Sequence, residues 1–256
     1  MTTPVDGASS TKLEARGVKV HFAGVRAVDG VDLTLKRGTI LGLIGPNGAG
    51  KTTFMNAISG FVKPTEGQVF LDEEDVTGFA PERLARIGVV RTFQGVATFP
   101  DLTVFQNIEV GALGTGLNRR KARARTRELL DMLELGEWER QYSSALPHGA
   151  ERRVGIARAL AASPEFLLLD EPAAGLNDAE SRELADTIVQ IRRDVGCGVL
   201  LVEHDMHVIF KVCEDLQVLD YGKSIAFGTA DEVRKDKKVI EAYLGTHGAE
   251  EVAETD

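Results

Sequence analysis

The chain has 256 residues, 43% of them hydrophobic, so it can bury a sizeable core without disulfides or structural metals. Its formal net charge of -9 argues against broad nucleic-acid binding, and its two cysteines, Cys197 and Cys213, lack metal-ligand spacing and favour a reducing compartment. A membrane-spanning helix needs about 18 apolar residues, and no apolar run of the chain approaches that length. The N-terminus is polar, so we expect a cytoplasmic protein that meets a membrane only through a partner.

Short β-strand patterns at the start of the chain lead into a glycine-rich loop. Residues 18–22 and 31–35 are β-branched and punctuated by turns, which predicts a small antiparallel sheet. Residues 40–44 form an apolar run that is typical of a buried strand. The loop that follows reads Gly45, Pro46, Asn47, Gly48, Ala49, Gly50, Lys51, Thr52 and Thr53.

This loop fits the pattern G-x-x-x-x-G-K-S/T, which predicts phosphate binding when it joins a strand to a helix. Glycines let the backbone approach a polyphosphate, and the following helix directs its first N–H groups and its positive dipole end at the anion. In that setting Lys51 supplies a charge to the β- and γ-phosphates, and Thr52 supplies a hydroxyl to Mg²⁺. A glycine-rich turn with an incidental lysine is the weaker alternative, because the full pattern and both flanking elements are present.

The next patterns predict a helix after the loop, a strand at 68–72, a helix at 81–87 and a strand at 89–94 that ends in Gln94. Phe22, on the first strand, is placed either to stack on a nucleotide base or to pack in the core. General burial tendencies favour the core for a phenylalanine on a strand.

From 94 to 164 helical patterns replace strands, at 104–113, 119–135 and 150–161, which predicts a helical insert between strands of one sheet. The second helix starts with a basic run. A solvated helix face is the favoured interpretation of this run, and a surface that meets phospholipid or an acidic partner is the alternative. The basic residues are Arg119, Arg120, Lys121, Arg123, Arg125 and Arg127.

Two later apolar strands end in chemical groups. Residues 166–169 are followed by Asp170 and Glu171, and residues 198–202 are followed by Glu203 and His204. Strand and helix alternate through this part of the chain, which predicts an α/β fold with a mostly parallel sheet and helices on both faces. Such sheets place their chemistry at the carboxyl ends of the strands.

These strand ends predict a site that hydrolyses a magnesium-bound nucleotide. Asp170 would hold Mg²⁺ through water, and Glu171 would polarise or deprotonate the attacking water. A lone histidine is more often structural. The place of His204 at the C-terminal end of a buried strand in a phosphate-binding fold nevertheless favours a function, in which it would hydrogen-bond the γ-phosphate. The convergence of these residues with Gln94 and the phosphate loop is inferred from topology.

On these residues the chain resembles the ATP-binding subunit of an ABC transporter over residues 13–245. The matching segments are the Walker A loop at 45–53, the Q-loop glutamine Gln94, the Walker B strand at 167–171 with its catalytic glutamate, the D-loop at 175–178 and the switch histidine His204. In this family an aromatic residue at the position of Phe22 stacks on adenine, which reverses the expectation that its ring lies in the core. The resemblance also implies that Gln94 joins Thr52 and Asp170 around Mg²⁺.

The resemblance implies a P-loop NTPase fold, RecA-like, with an N-terminal antiparallel β-subdomain and an inserted helical subdomain. Residues 12–246 then form one ATP-binding domain. Residues 12–93 and 165–246 build its nucleotide-binding core, and residues 94–164 build the helical subdomain with the signature segment. Residues 1–11 and 247–256 are expected to be disordered tails.

Several segments are similar to the branched-chain amino acid importer subgroup, although importers of urea or other amides share most of them. These segments are 91–94, 102–104, 172–177, 203–206 and 242–245. The subgroup implies ATP and Mg²⁺ as cofactors, a second ATP-binding subunit in a homo- or heterodimer, membrane permease subunits contacted by the helical insert, and indirectly a solute-binding protein. It implies no nucleic-acid partner and a place on the inner face of the cell membrane. A soluble regulatory or assembly ATPase is the alternative, and a small-molecule kinase has little support.

One segment departs from the family pattern. The family's signature reads Leu-Ser-Gly-Gly-Gln and opens a helix toward the γ-phosphate held by the opposite subunit, whereas here the residues are Leu146, Pro147, His148, Gly149 and Ala150. Gly149 and the helix N-terminus still offer N–H groups, but Pro147 removes a hydroxyl and a backbone donor, and Ala150 removes an amide. We therefore predict that the composite site completed by this segment hydrolyses ATP more slowly than its counterpart in a mixed dimer.

Overall fold

A computed structural model of the chain describes residues 11–92 and 98–244. Strands β1 (Lys12–Phe22) and β2 (Val25–Lys36) pair antiparallel across a tight turn in which Ala23 and Gly24 have φ values of 40° and 93°. With β4 (Glu66–Leu71) and β5 (Glu74–Asp75) they form a four-stranded sheet in the order β2-β1-β4-β5. The predicted antiparallel sheet before the phosphate loop is therefore confirmed.

A second sheet has six strands in the order β10-β9-β3-β8-β7-β6. Its neighbouring strands pair parallel except for β10, which runs antiparallel to β9, so the predicted mostly parallel sheet is confirmed. The remaining strands are β3 (Ile40–Ile44), β6 (Val89–Arg91), β7 (Phe166–Asp170), β8 (Gly198–Val202), β9 (Asp215–Asp220) and β10 (Lys223–Gly228).

The helices begin at residues that suit helix termini. Pro81 occupies the first turn of its helix, and Thr103 and Asn177 each form a capping box with the residue three positions on. Among the helices of the two described ranges, none is both long enough and apolar enough to cross a bilayer. The helices are α1 (Lys51–Ile58), α2 (Pro81–Arg86), α3 (Val104–Gly114), α4 (Arg119–Met132), α5 (His148–Ala161), α6 (Asp178–Val195), α7 (Met206–Val212), α8 (Ala230–Lys235) and α9 (Lys237–Leu244).

The parallel sheet is buried on two different faces. Leu167 and Leu169 belong to one core cluster with residues of the helical insert and of α6 and α7. Phe166 and Leu168, which alternate with them along β7, belong to a second cluster with α1 and the antiparallel sheet. One face is thus covered by helices as predicted, whereas the other is covered by α1 together with strands.

The register of this sheet brings three strand ends together. Asp170 at the end of β7 pairs with Val202 at the end of β8, and Val202 pairs with Leu43 of β3. Because these strands are parallel, the groups that follow them meet at one edge. The strand predicted at 89–94 ends at Arg91, and Gln94 lies outside the described residues. The predicted tails, 1–11 and 247–256, also lie outside them, except for Thr11.

Candidate functional site

The phosphate loop leaves β3 and enters α1 through glycines that have little room beside them. Gly45 has φ 149°, and a Cβ there would collide with the carbonyl oxygen of Leu219. Gly50 caps α1 with φ 100°, and a Cβ there would collide with the carbonyl oxygen of Ala27. The backbone of the loop is therefore packed directly against β2 and the end of β9, which only glycine permits at these points.

Neighbouring turns hold the loop in place by backbone hydrogen bonds. The N–H of Asp29 donates to the Gly222 oxygen at 2.7 Å, and the N–H of Gly222 donates to the Ala49 oxygen at 2.9 Å. At the start of the loop, the backbone of Gly45 is hydrogen-bonded to the hydroxyl of Tyr243 on α9, whose pKa burial raises to about 12. Segments far apart in the sequence thus fix the shape of the loop.

The side chain of Lys51 contacts the backbone of this loop. Its side chain is buried, and its Nζ donates to the oxygens of Gly45 at 2.6 Å and Pro46 at 3.0 Å. Burial lowers the pKa of Lys51, and the carboxylates of Glu171 and Asp170 act against that shift. A desolvated ammonium group held by two neutral carbonyls gains strongly from an approaching polyphosphate.

The remaining loop residues leave the centre of the loop open. Asn47, Gly48 and Thr52 are exposed, and Gly45, Pro46 and Ala49 are buried. Thr53 is half-buried on the first turn of α1. The exposed backbone and the Thr52 hydroxyl are therefore accessible to a bound anion and its metal ion.

Phe22 lies at the end of β1, with its side chain on the surface. The residue is 49% exposed, so the general expectation that a strand phenylalanine packs in the core is not met here. An exposed ring on the hairpin that packs against the phosphate loop is available to a planar ligand.

Asp170 is almost completely buried, at 1% exposure, and is held by a cation that the sequence analysis did not single out. Its Oδ2 accepts a hydrogen bond from Arg91 Nη2 at 2.7 Å. Arg91 Nη1 donates to Asn56 Oδ1 at 2.6 Å and to Ser59 Oγ at 3.0 Å, which ties β6 and β7 to α1. The available signal was an arginine directly after two valines of a buried strand, since a charge there needs a buried partner.

The second oxygen of Asp170 is available to a metal-bound water. Asp170 Oδ1 is buried and has no hydrogen-bond partner. Within the described part of the chain, no cluster of three or more histidine, cysteine, aspartate or glutamate side chains is arranged to hold a metal ion. Mg²⁺ takes few protein carboxylates and keeps several waters, so the chemistry of a single carboxylate such as Asp170 suits an ion that arrives with a nucleotide.

Glu171 follows Asp170 in an unusual backbone conformation. Its φ is 45°, which is uncommon outside glycine, and its N–H donates to the Val202 oxygen at 2.8 Å. Glu171 Oε2 lies 4.0 Å from His204 Nδ1. The side chain of His204 is 65% exposed and that of Glu171 is 19% exposed, so both groups reach the solvent at the edge where the strands end.

Glu203, which the sequence pattern assigned no role, lies between the segments that follow β7 and β8. Glu203 is 1% exposed, and its Oε1 accepts from the Ala173 N–H at 2.5 Å. Its Oε2 accepts from the N–H of His204 at 3.1 Å. Burial raises the pKa of Glu203, and the backbone N–H groups around it act against that shift.

The signature segment lies at the start of α5. Pro147 is the N-cap residue and makes no side-chain capping bond, and His148 is exposed. Gly149 is half-buried in the first turn, where a Cβ would lie 3.3 Å from Glu180 Oε1, and Ala150 is buried. These contacts place Gly149 beside α6.

Solved structures and family models define the class of protein. The chain superimposes on the ADP conformation of MJ1267, an ATP-binding cassette of an ABC transporter, with a TM-score of 0.83 and 28% identity over 93% of this chain and 100% of that one. The dimeric bacterial cassette MJ0796 gives a TM-score of 0.75 and 27% identity over 85% and 98% of the two chains. A family model described as ABC transporter matches residues 28–174. The chain belongs to the ABC transporter family, as an ATP-binding cassette that hydrolyses ATP.

Relatives with described transport roles indicate a subgroup of the family to which the chain is similar. The high-affinity branched-chain amino acid transport ATP-binding protein LivG of Salmonella typhimurium is 40% identical over 252 residues, covering 93% of this chain and 99% of that protein. BraF of Pseudomonas aeruginosa, which carries the same description, is 37% identical over 91% of this chain and 97% of its own length. A model described as branched-chain amino acid ATP-binding cassette transporter matches residues 223–249.

Proposed function

We propose that this chain is the ATP-hydrolysing subunit of an importer for branched-chain amino acids. The support is a similarity that spans nearly the full length of both LivG and BraF and includes the C-terminal segment. A methionine import ATP-binding protein of Rhodococcus jostii is 36% identical, but the match covers only 68% of that protein. The descriptions of these relatives favour a transport role over a soluble regulatory or assembly ATPase.

The observation that carries the hydrolytic part of this proposal is the grouping at the edge of the parallel sheet. Asp170 presents a buried oxygen without a partner, and Glu171 and His204 approach to 4.0 Å beside it. Lys51 lies within electrostatic reach of both carboxylates. A cationic phosphate anchor, a metal-facing carboxylate and a base beside a histidine are the parts that phosphoryl transfer to water needs.

In the proposed mechanism, loop N–H groups and Lys51 hold the β- and γ-phosphates. Thr52 and Asp170 would hold Mg²⁺, which would neutralise charge on the phosphates when bound. Glu171 accepts a proton from the water that attacks the γ-phosphorus, while the bond from that phosphorus to the β–γ bridging oxygen breaks and ADP leaves with this oxygen. The side chain of His204 donates a hydrogen bond to a γ-phosphate oxygen. Phe22 stacks on the base.

The proposed site is completed by a second ATP-binding subunit. Gly149 and the first turn of α5 would offer their N–H groups to the γ-phosphate held by the other subunit's loop. Residues 94–164 would form the helical subdomain that contacts the permease, with Gln94 as a magnesium ligand and as the link between phosphate and permease. Residues 12–93 and 165–246 would form the nucleotide-binding core, at the cytoplasmic face of the membrane.

The substitution Glu171→Gln tests the proposed base. A glutamine keeps the size of the side chain but cannot accept the proton, so we expect the ATPase kcat of the assembled transporter to fall by about 100-fold or more while ATP still binds. Glu73→Gln, on an exposed turn, is the matched control and should keep the wild-type rate. A wild-type rate for Glu171→Gln would show that another group activates the water.

The transported solute is tested on the intact complex isolated from membranes together with its other chains. Leucine, isoleucine and valine should stimulate ATP hydrolysis in reconstituted vesicles through the solute-binding protein, whereas urea and short amides should not. Stimulation by urea or amides alone would keep the ATPase assignment and overturn the substrate.

The weakened signature segment predicts unequal sites in a mixed dimer. Because Pro147 and Ala150 remove donors, the site completed by this chain's α5 should turn over more slowly in a single-turnover measurement than the site completed by the partner subunit. Equal rates at the two sites would contradict this prediction.

A further inference from the structure

Glu203 is a buried carboxylate that the proposed mechanism does not use. Its side chain is 0% exposed, so it cannot contact the nucleotide or the attacking water from where it lies. Three backbone N–H groups converge on it, from Ala173 at 2.5 Å, His204 at 3.1 Å and Asp205 at 3.5 Å. A carboxylate that accepts several backbone N–H groups fixes the segments that carry them.

These N–H groups belong to two separate loops. Ala173 follows the strand β7 and Glu171, whereas His204 and Asp205 follow the strand β8. The strands themselves pair only up to Asp170 and Val202, so the ladder does not determine the path of the loops beyond that point. Glu203 supplies a connection between the loops where the sheet has ended.

The same network reaches the helix of the signature segment. Arg152, on α5, is buried, and its Nη2 donates to the oxygen of Ala174 at 2.6 Å. Burial lowers the pKa of Arg152, and the carboxylate charge of Glu203 acts against that shift. The loop after Glu171 is thus held by Glu203 at the N–H of Ala173 and by Arg152 at the oxygen of Ala174.

We propose that Glu203 is a positioning residue for ATP hydrolysis, which holds the loop after Glu171 and the loop of His204 at a fixed separation. The inference rests on the proposed roles of Glu171 and His204. His204 Nδ1 lies 4.0 Å from Glu171 Oε2 and also 4.0 Å from Glu203 Oε2, so a small shift of either loop changes the contact at which the water and the γ-phosphate would meet. Displacements of about 1 Å at such a site reduce rates by as much as about 100-fold.

Glu203→Gln tests this role because the amide keeps the size of the side chain but has only one acceptor oxygen. Its NH₂ group would face an N–H of Ala173 or of His204, so one loop loses its anchor. In the assembled transporter we expect kcat to fall by about 10-fold or more, with KM for ATP within about twofold of the wild-type value. Glu203→Asp, which keeps the charge but is one methylene shorter, should also lower kcat. This variant replaces Glu203→Gln in the test if the glutamine variant does not fold.

Glu232→Gln is the matched control. Glu232 Oε2 accepts from the N–H of Thr229 at 2.8 Å at the start of α8, so this substitution also alters a carboxylate that binds a backbone N–H, away from the site. It should keep the wild-type kcat. If Glu203→Gln lowers the melting temperature but keeps kcat per folded molecule, Glu203 is only structural and the proposal is wrong.

Combining His204→Ala with Glu203→Gln separates the proposed role of Glu203 from the proposed role of His204. If Glu203 acts through the His204 loop, the loss caused by Glu203→Gln should shrink to about threefold or less in the His204→Ala background. An equally large loss in both backgrounds would overturn the positioning role. If His204→Ala alone keeps the wild-type kcat, the proposed role of His204 fails, whereas Glu203→Gln measured against Glu232→Gln still tests Glu203.

Discussion

The cations at the nucleotide edge differ from the cations on α4 in what surrounds them. The side chains of Lys51 and Arg91 are buried. Lys51 donates hydrogen bonds to two backbone carbonyls, and Arg91 donates to an amide oxygen, a hydroxyl oxygen and the carboxylate of Asp170. Four of the five arginines of α4 instead line a depression of about 400 Å³ on the surface. They are Arg119, Arg120, Arg123 and Arg127.

This contrast shows that the density of charge along the sequence is a poor guide to the function of a cation. The basic run at the start of α4 is the denser cluster, and it opposes the positive dipole end of a helix whose first turn carries no acidic residue. Lys51 and Arg91 are isolated in the sequence, yet each is desolvated beside an anion or an anion site. A solvated face remains our prediction for the α4 arginines.

Among tests of the difference between buried and exposed cations, Arg91→Met is expected to have the largest effect. The substitution leaves the Asp170 carboxylate buried without its cation, so the free energy of unfolding should fall by about 3–5 kcal/mol. Chemical denaturation monitored by circular dichroism measures this change. A loss below about 1 kcal/mol would mean that Asp170 is solvated or protonated when the arginine is absent.

A smaller effect, on binding, is expected from Lys51→Ala. The substitution removes a charge-assisted contact to phosphate, so the dissociation constant for Mg-ATP should rise by about 10- to 100-fold. Fluorescence titration with a labelled ATP analogue measures it, and Lys211→Ala, which pairs with Asp186 on the surface, is the control. Unchanged affinity would remove Lys51 from the phosphate site.

The smallest effect is expected from Arg123→Met on α4. Arg123 Nε lies 3.2 Å from Glu109 Oε1, with the arginine side chain 58% exposed. Exposed ion pairs contribute little to stability. The free energy of unfolding should therefore change by less than about 1 kcal/mol in the same denaturation experiment. A loss as large as that of Arg91→Met would erase the distinction between the two groups of cations.

Local patterns in the sequence predicted much of the fold. The two-residue period of strands and the 3.6-residue period of helices depend on neighbours along the chain, which is why the elements around the phosphate loop, Asp170 and His204 were predictable. Strand ends were placed less well. The ladder of β6 ends at Arg91, opposite Leu168, although its partner β7 continues to Asp170, and no local pattern shows where pairing stops. The roles of the site residues, including Gln94, which lies outside the described residues, remain predictions.

The sequence by itself determined which chemical groups this protein has and at which strand ends they stand. Only the tertiary structure decided what holds them: Arg91 on Asp170, Tyr243 at Gly45, and Glu203 between two loops. The physical reason is that a buried polar group must find its partner wherever packing brings one, and these partners lie too far along the chain for any local period to reveal them.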